Sequence, residues 1–440
     1  MSREFDEVNR ALEARGFARM EFDLSRILSL LDLLGMPQRA YPSIHITGTN
    51  GKTSTARMID ALLGAHGLRT GRYTSPHLAT VRERISLDGE PIDERRFVQV
   101  YKDVAPVAEL VDKDVTEPLT YFDMTTTMAF AAFADAPVDA AIVEVGLGGA
   151  EDSTNVLHAR IAVITPIGLD HTEWLGDTIA DIAWAKAGIV HNGATLILAA
   201  QPDEALTPIY ERAVQVDATV AAEGRQFGVL RRELAIGGQV LAIQGLGGVY
   251  DDVYLPLHGA HQAQNAAVAL AAVEAFLGAG KSRQLDPATV RAGFADVTSP
   301  GRLERVRTAP TVLLDAAHNP HGMAATVAAL QEEFAFRRLV AVVAILADKD
   351  ATGMLELLEP VVDAVVVTRN SSTRAMPVAQ LAEIAVEVFG EDRVTVEPKL
   401  SDAIVAAVQR AEENGELSGA GVIITGSVMT VADARKLLRR

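Results

Sequence analysis

No cysteine occurs among the 440 residues, which excludes disulfides, thiol catalysis and cysteine-bound zinc. Positive charge is in deficit. Forty Lys and Arg stand against 58 Asp and Glu, giving a formal charge of −18 and a pI near 5.0. A field of that sign argues against a nucleic-acid groove or an anionic membrane as partner. Anionic small molecules must then be met by local cations, by Mg²⁺ and by helix ends. No apolar run is long enough to cross a bilayer; Leu339 to Ala347 reads as a buried strand instead. Met1 to Arg10 is charged and holds no apolar signal core, so a cytoplasmic location is expected. There is no repeat of fixed period and no low-complexity tract. With 49% apolar residues the chain is globular rather than disordered, with room for two or three domains.

What is present is organised around Ile44-His45-Ile46-Thr47-Gly48-Thr49-Asn50-Gly51-Lys52-Thr53-Ser54-Thr55. Apolar and β-branched residues lead into a turn of small residues, and an amphipathic run (Ala56, Met58, Ile59, Leu62, Leu63) follows. That order is strand, loop, helix. Backbone N–H groups of such a loop close around phosphate oxygens at a helix N-terminus. Lys52 supplies formal charge for the β- and γ-phosphates, and Thr53 or Ser54 an oxygen for Mg²⁺. The first glycine of GxxxxGK[ST] is missing because Ile46 stands there. The competing reading is an ordinary strand-to-helix turn.

Residues 22–34 carry a helical stripe (Leu24, Ile27, Leu28, Leu31, Leu34) closed by Gly35 and Pro37. A strand is expected over 69–73, another over 81–87 ahead of Asp88-Gly89, and a buried helix over 120–134. Val138 to Val145 lacks alternation, as a strand covered on both faces does. The strand 161–165 follows, then a helix over 178–187 with Gly188 as its stop. Strands and helices alternate to about Val220. Residues 226–257 suggest hairpins on one sheet edge, and 261–277 a helix. After a linker over 296–301, strands near Val312, Leu339, Ala364, Val394 and Val422 restart the rhythm. The alternation implies α/β domains with parallel sheets, over 1–298 and 299–440.

Candidate chemistry gathers at strand ends, where open α/β sheets bind ligands. Glu144 precedes the glycine loop 146–149 and suits Mg²⁺, or caps the next turn. His171 either ligates a metal or braces its loop; imidazole is not a usual Mg²⁺ ligand. Lys186 lies near a helix end, where a lysine commonly faces the last carbonyls. Asp315 and His318 follow an apolar strand and suit ribose, phosphate or a polar substrate, or cap the helix beyond. Arg302 either reaches a nucleotide or is a surface arginine.

Seven segments, in order, resemble the Mur ligase superfamily, and most closely its folylpolyglutamate synthase and dihydrofolate synthase branch. They are Gly48-Thr49-Asn50-Gly51-Lys52, Tyr73-Thr74-Ser75-Pro76-His77-Leu78, Glu144-Val145-Gly146-Leu147-Gly148-Gly149, Ile167-Gly168-Leu169-Asp170-His171-Thr172, Lys186-Ala187-Gly188-Ile189, Pro300-Gly301-Arg302-Leu303 and Asp315-Ala316-Ala317-His318-Asn319-Pro320. The Ser-Pro-His-Leu and Gly-Leu-Asp-His pieces separate this branch from the peptidoglycan ligases.

The resemblance implies a P-loop ATPase-type domain followed by a smaller Rossmann-like domain. It also implies an ATP-dependent amide ligase in which a substrate carboxylate takes the γ-phosphate. The amine of L-glutamate then displaces phosphate from the acyl phosphate. By the same resemblance Thr49 to Ser54, Asn265, Arg302 and Asp315 meet ATP, and Ser75, Glu144 and His171 surround Mg²⁺. Lys186 matches a lysine carried as a carbamate, and His318 helps hold glutamate. Dihydropteroate or a reduced folate is expected at Phe22-Asp23-Leu24, Thr120-Tyr121-Phe122-Asp123 and Glu151-Asp152-Ser153. The chain departs from the family pattern at Ala150 and Glu151, where an Arg and an apolar residue are usual. It also has Gly-Lys-Thr-Ser in place of Gly-Lys-Gly-Ser, and Gly426-Ser427-Val428-Met429 keeps only the start of Gly-Ser-Leu-Tyr. A monomer without nucleic-acid or membrane partners is expected. The rivals are a Mur-type ligase for another carboxylate, and a protein that binds and hydrolyses ATP without ligation.

Overall fold

The structure is a computed structural model that describes residues 2–16, 23–280, 283–413 and 419–438. By internal contact the chain divides into two compact units. One comprises residues 1–233, 240–256 and 263–297, the other 234–239, 257–262 and 298–440.

The first unit is built on an eight-stranded sheet. Its order is Glu90–Pro91, Ile85–Leu87, Thr70–Tyr73, Ala140–Glu144, Ser43–Thr47, Ile161–Ile164, Thr195–Leu198 and Thr219–Ala222. From Thr70–Tyr73 onward every neighbouring pair is parallel. At one edge, Ile85–Leu87 runs antiparallel to both of its neighbours. Ala140–Glu144 and Ser43–Thr47 are buried along their whole length, which is why neither shows alternation. Successive side chains leave opposite faces. Ala141 and Val143 join a core with Tyr73, Phe97, Phe130 and Phe133, under helices Glu94–Asp114 and Tyr121–Asp135. Further along the same face, by the register through His45, Ala162 and Ile164 pack with Ile182, Ile189 and Ile209. Each fully buried ring or branched chain contributes roughly 1.5–3 kcal/mol by area.

The second unit holds a six-stranded sheet. Its order is Glu304–Thr308, Thr311–Leu314, Ala420–Thr425, Arg338–Val343, Ala364–Arg369 and Val394–Lys399. Only the Glu304–Thr308 edge is antiparallel.

The expected α/β layering is present, and several local expectations need correction. Residues 81–84 form a 3-10 turn, leaving only Ile85–Leu87 as strand. The cause is Glu83, whose carboxylate accepts the N–H groups of Leu78, Ala79 and Thr80 and draws the chain into a capping box. The hairpins of 226–257 form a separate three-stranded sheet rather than an edge of the large one. Helix Ile179–Ala187 does end at Gly188, but at φ −57°, so no left-handed stop is needed. Glycine stands there because a Cβ would lie 2.4 Å from that of Ala150. The helix expected over 22–34 runs Ser25–Leu33, and Phe22 lies outside the described residues. The Asp88-Gly89 turn signal falls in the antiparallel hairpin between Ile85–Leu87 and Glu90–Pro91.

Candidate active site

Ser43–Thr47 delivers the chain to the phosphate loop, and helix Lys52–Ala65 begins immediately beyond. Gly51 is its N-cap at φ +87°, a conformation that suits glycine. Any Cβ there would also lie 2.6 Å from Asn265 Oδ1, so the loop and Asn265 are adjacent. The first-turn N–H groups and the helix dipole form an anion-binding end. Thr49 is turned inward. Its hydroxyl donates to Gly168 O and accepts from Gly168 N–H, both at 3.0 Å. Its own N–H donates to Pro166 O. The phosphate loop is thereby fastened to the loop that carries His171.

Thr53 Oγ1 donates to the Glu144 carboxylate, 2.9 and 3.0 Å from its two oxygens. Ser75 N–H approaches the same carboxylate at 3.4 Å. Thr53, Ser75 and Glu144, from three separate elements, therefore meet at the ends of parallel strands. Their donors are all hard oxygens, the chemistry Mg²⁺ prefers, so these residues fit the ion. His171 has φ +53° and caps helix Thr172–Leu175, with Nε2 3.9 Å from Asp170 Oδ1. Among the described residues no three His, Asp or Glu side chains converge as a metal cluster.

Lys186 is buried, and its Nζ donates to Gly48 O at 2.9 Å. It does not cap its own helix; it reaches across to the phosphate loop. Burial, and then the charge of Lys52, lower its pKa to about 7. Lys52 Nζ donates to Gly48 O at 2.9 Å and Thr49 O at 3.1 Å. Ser54 is buried in the helix.

The segments expected to hold the pterin converge as well. Ser153 Oγ donates to Asp123 Oδ1 at 2.6 Å. Asp123 Oδ2 completes a capping box with Thr120. Asp152 accepts from Leu147 N–H and from the N–H and hydroxyl of Thr154, while burial raises its pKa. Phe122 lies 5.9 Å from Tyr73, ring to ring. Both Phe122 and Asp152 border Gly146, where a Cβ would be 2.5 Å from Phe122 Cζ and 3.1 Å from Asp152 Oδ2. Tyr121 is buried under Arg84, whose guanidinium is 5.1 Å from the ring centroid. Burial raises the Tyr121 hydroxyl to about 12. Asp23 is exposed and accepts from Ser25, and Leu24 packs on the core beside it. Glu151 is exposed and borders a cavity of about 410 Å³ with Trp174 and Trp184.

Two buried arginines were missed from sequence. Arg26 lies 3.9 Å from Asp123, and Arg84 donates to His77 Nδ1 at 3.0 Å. The available signal was Arg26 standing beside the apolar stripe of its helix.

In the second unit Asp315 is buried and committed internally. It accepts from Leu303 N–H, Ala317 N–H and the Thr326 hydroxyl. The cap of helix Pro320–Glu333 is Asn319 instead. His318 Nδ1 lies 3.0 Å from Ala316 O. Arg302 is half-buried and donates to Gly301 O.

A glycine-containing phosphate loop, a strand-end carboxylate beside it and a separate Rossmann-like unit define an ATP-dependent ligase of the Mur type. Two family models match: Mur ligase middle domain over residues 46–273, and Mur ligase, glutamate ligase domain over 301–428. The chain belongs to the folylpolyglutamate synthase and dihydrofolate synthase family. It is 53% identical to a dihydrofolate synthase/folylpolyglutamate synthase of Mycobacterium tuberculosis, over 96% of this chain and 91% of that protein. A structure of the M. tuberculosis folylpolyglutamate synthase complexed with ADP superposes with a TM-score of 0.95 at 52% identity, covering 99% of this chain and 98% of that one. A folylpolyglutamate synthase complexed with AMPPCP and folate gives 0.86 at 30% identity, covering 99% of each chain. Among the described residues no helix is long and apolar enough to cross a membrane.

Proposed function

We propose that this chain is a bifunctional ligase that joins L-glutamate to dihydropteroate and to a reduced folate, through an acyl phosphate. The observation that carries this reading is the Ser153–Asp123 hydrogen bond of 2.6 Å. It joins two segments 30 positions apart, and the Phe122 ring beside Gly146 and Asp152 is available for stacking on a flat heterocycle. The reaction is phosphoryl transfer followed by amide formation, in which positioning and charge neutralisation supply most of the rate.

In this reading the phosphate loop and Lys52 hold the transferred phosphate in line with the substrate carboxylate. Thr53, Ser75, Glu144 and His171 would hold Mg²⁺, which would supply neutralisation of phosphate charge. Lys186, as a carbamate, would present an anionic oxygen to the ion in place of a cation. Asn265, Arg302 and Asp315 are assigned to the nucleotide and His318 to glutamate. Asp315 acts by shaping its turn, since its oxygens already accept three hydrogen bonds.

ADP release with dihydropteroate, tetrahydrofolate or a Mur precursor, each with and without glutamate, tests the proposal. Turnover of both pterins only with glutamate is expected. Lys52→Ala should abolish it with unchanged thermal unfolding, because Lys52 faces the loop rather than the core. Release that ignores glutamate would identify a nucleotide-hydrolysing binding protein instead.

A further inference from the structure

Asp152 accepts hydrogen bonds from Leu147 and Thr154, and the chain of contacts behind it ends on a strand residue, His45. His45 lies in the middle of Ser43–Thr47, fully buried between Ile44 and Ile46. Its Nε2 is 2.8 Å from Thr154 Oγ1. Thr154 Oγ1 in turn donates to Asp152 Oδ1 at 2.5 Å.

The direction of this chain follows from hydrogen counting. A carboxylate only accepts, and a threonine hydroxyl has one hydrogen. With that hydrogen on Asp152, His45 Nε2 must carry a proton and donate it to Thr154. The imidazole is then the Nε2–H tautomer, and its Nδ1 is buried without a partner. A bare buried nitrogen costs stability, and Leu or Val would fill a strand centre without that cost. What histidine adds is a directed N–H. Burial, with His191 nearby, lowers its pKa to about 3, so the imidazole stays neutral.

Asp152 uses what it is given. Oδ1 also accepts Thr154 N–H at 3.0 Å, and Oδ2 accepts Leu147 N–H at 2.9 Å. The carboxylate thus ties the start of the loop 146–152 to its end, against the Phe122 ring at Gly146. We propose that His45 is a positioning residue for the pterin: through Thr154 it sets the Asp152 carboxylate, and so couples the strand that feeds the phosphate loop to the substrate loop. The inference rests on the reading that residues 151–153 meet the pterin.

The test uses full-length enzyme. ¹⁵N-labelled histidine NMR of the wild type should show His45 as a neutral Nε2–H tautomer that does not titrate between pH 8 and 5. An Nδ1–H tautomer would overturn the proposal without any variant. His45→Leu removes the donor, whereas His45→Gln places an amide N–H near the Nε2 position. His45→Leu should raise KM for dihydropteroate about tenfold, the scale of one buried hydrogen bond to a charged network. KM for ATP should stay within about twofold, and His45→Gln should recover most of the loss. Equal loss against both substrates, or no recovery with Gln, would show a purely structural histidine and overturn the proposal. Asp152→Asn is the benchmark. If it leaves the pterin KM unchanged, the pterin reading of the loop fails. If it raises that KM while His45→Leu does not, only the coupling fails. Should His45→Leu not fold, His45→Gln and the wild-type tautomer still decide.

Discussion

Lys52 and Lys186 donate to one acceptor, the carbonyl oxygen of Gly48, each at 2.9 Å. Two ammonium groups so placed repel, and Lys186 is the one that is buried. Its lowered pKa of about 7 makes a neutral amine available near neutral pH, and a neutral amine is the form that adds CO₂.

Carbamate formation at Lys186 should therefore depend on pH in a defined direction. From pH 7 to 6 the neutral fraction falls about fivefold. The bicarbonate needed to reactivate CO₂-stripped enzyme should rise accordingly from pH 7 to 6, with a ¹³C carbamate signal rising in parallel with activity. Lys186→Ala should be inactive, and a small carboxylic acid should restore part of the rate. Full activity with a bare ammonium in bicarbonate buffer would remove the carbamate. Stability follows the same shift. Between about pH 7 and the unmodified value of 10.5 the unfolded chain holds a proton that the folded chain does not. The unmodified protein should accordingly gain stability as pH rises through that window.

Glu144→Gln keeps the shape of the side chain and halves its acceptor capacity toward Thr53 and Ser75. Turnover should drop about 10²–10³-fold, the scale of one lost electrostatic contact in such a site. The Mg²⁺ concentration for half-maximal rate should rise. Mg²⁺ titrations that superimpose on wild type would show that Glu144 holds no metal.

Asp60 and Arg72 form a buried ion pair between helix Lys52–Ala65 and strand Thr70–Tyr73, and Arg72 also donates to Ser86 at 2.9 Å. Removing one partner strands a buried charge. Asp60→Ala should cost about 3–5 kcal/mol in urea unfolding, whereas an apolar pair such as Asp60→Leu with Arg72→Met should cost much less. A loss under about 1 kcal/mol for Asp60→Ala would mean that water reaches Arg72.

Glu151 is exposed beside Trp174 and Trp184. Screened charge at the surface repels weakly. The kcat/KM for dihydropteroate should change by less than about threefold in Glu151→Leu, corresponding to under about 1 kcal/mol. Turnover of dihydropteroate only after the substitution would refute bifunctionality and locate the cause in this residue.

Much of this protein is legible from sequence for local reasons. Unbroken apolar strands announce a doubly covered sheet, and Gly51-Lys52-Thr53 between strand and helix announces a phosphate loop. Neither depends on distant contacts. The sequence alone determined the layering, the order of elements and the candidate residues at strand ends. Tertiary structure decided which of them meet. Lys186 reads as a helix-end lysine until the fold brings its Nζ to Gly48, 138 positions away. Asp123 and Ser153 are 30 positions apart and become partners only when their elements pack. His45 is one more strand residue until Thr154 lies against it from 109 positions further along the chain. Periodicity reports which face of an element is buried. What that face touches is set by strand order and crossover connections, and these bring together residues that local pattern keeps apart.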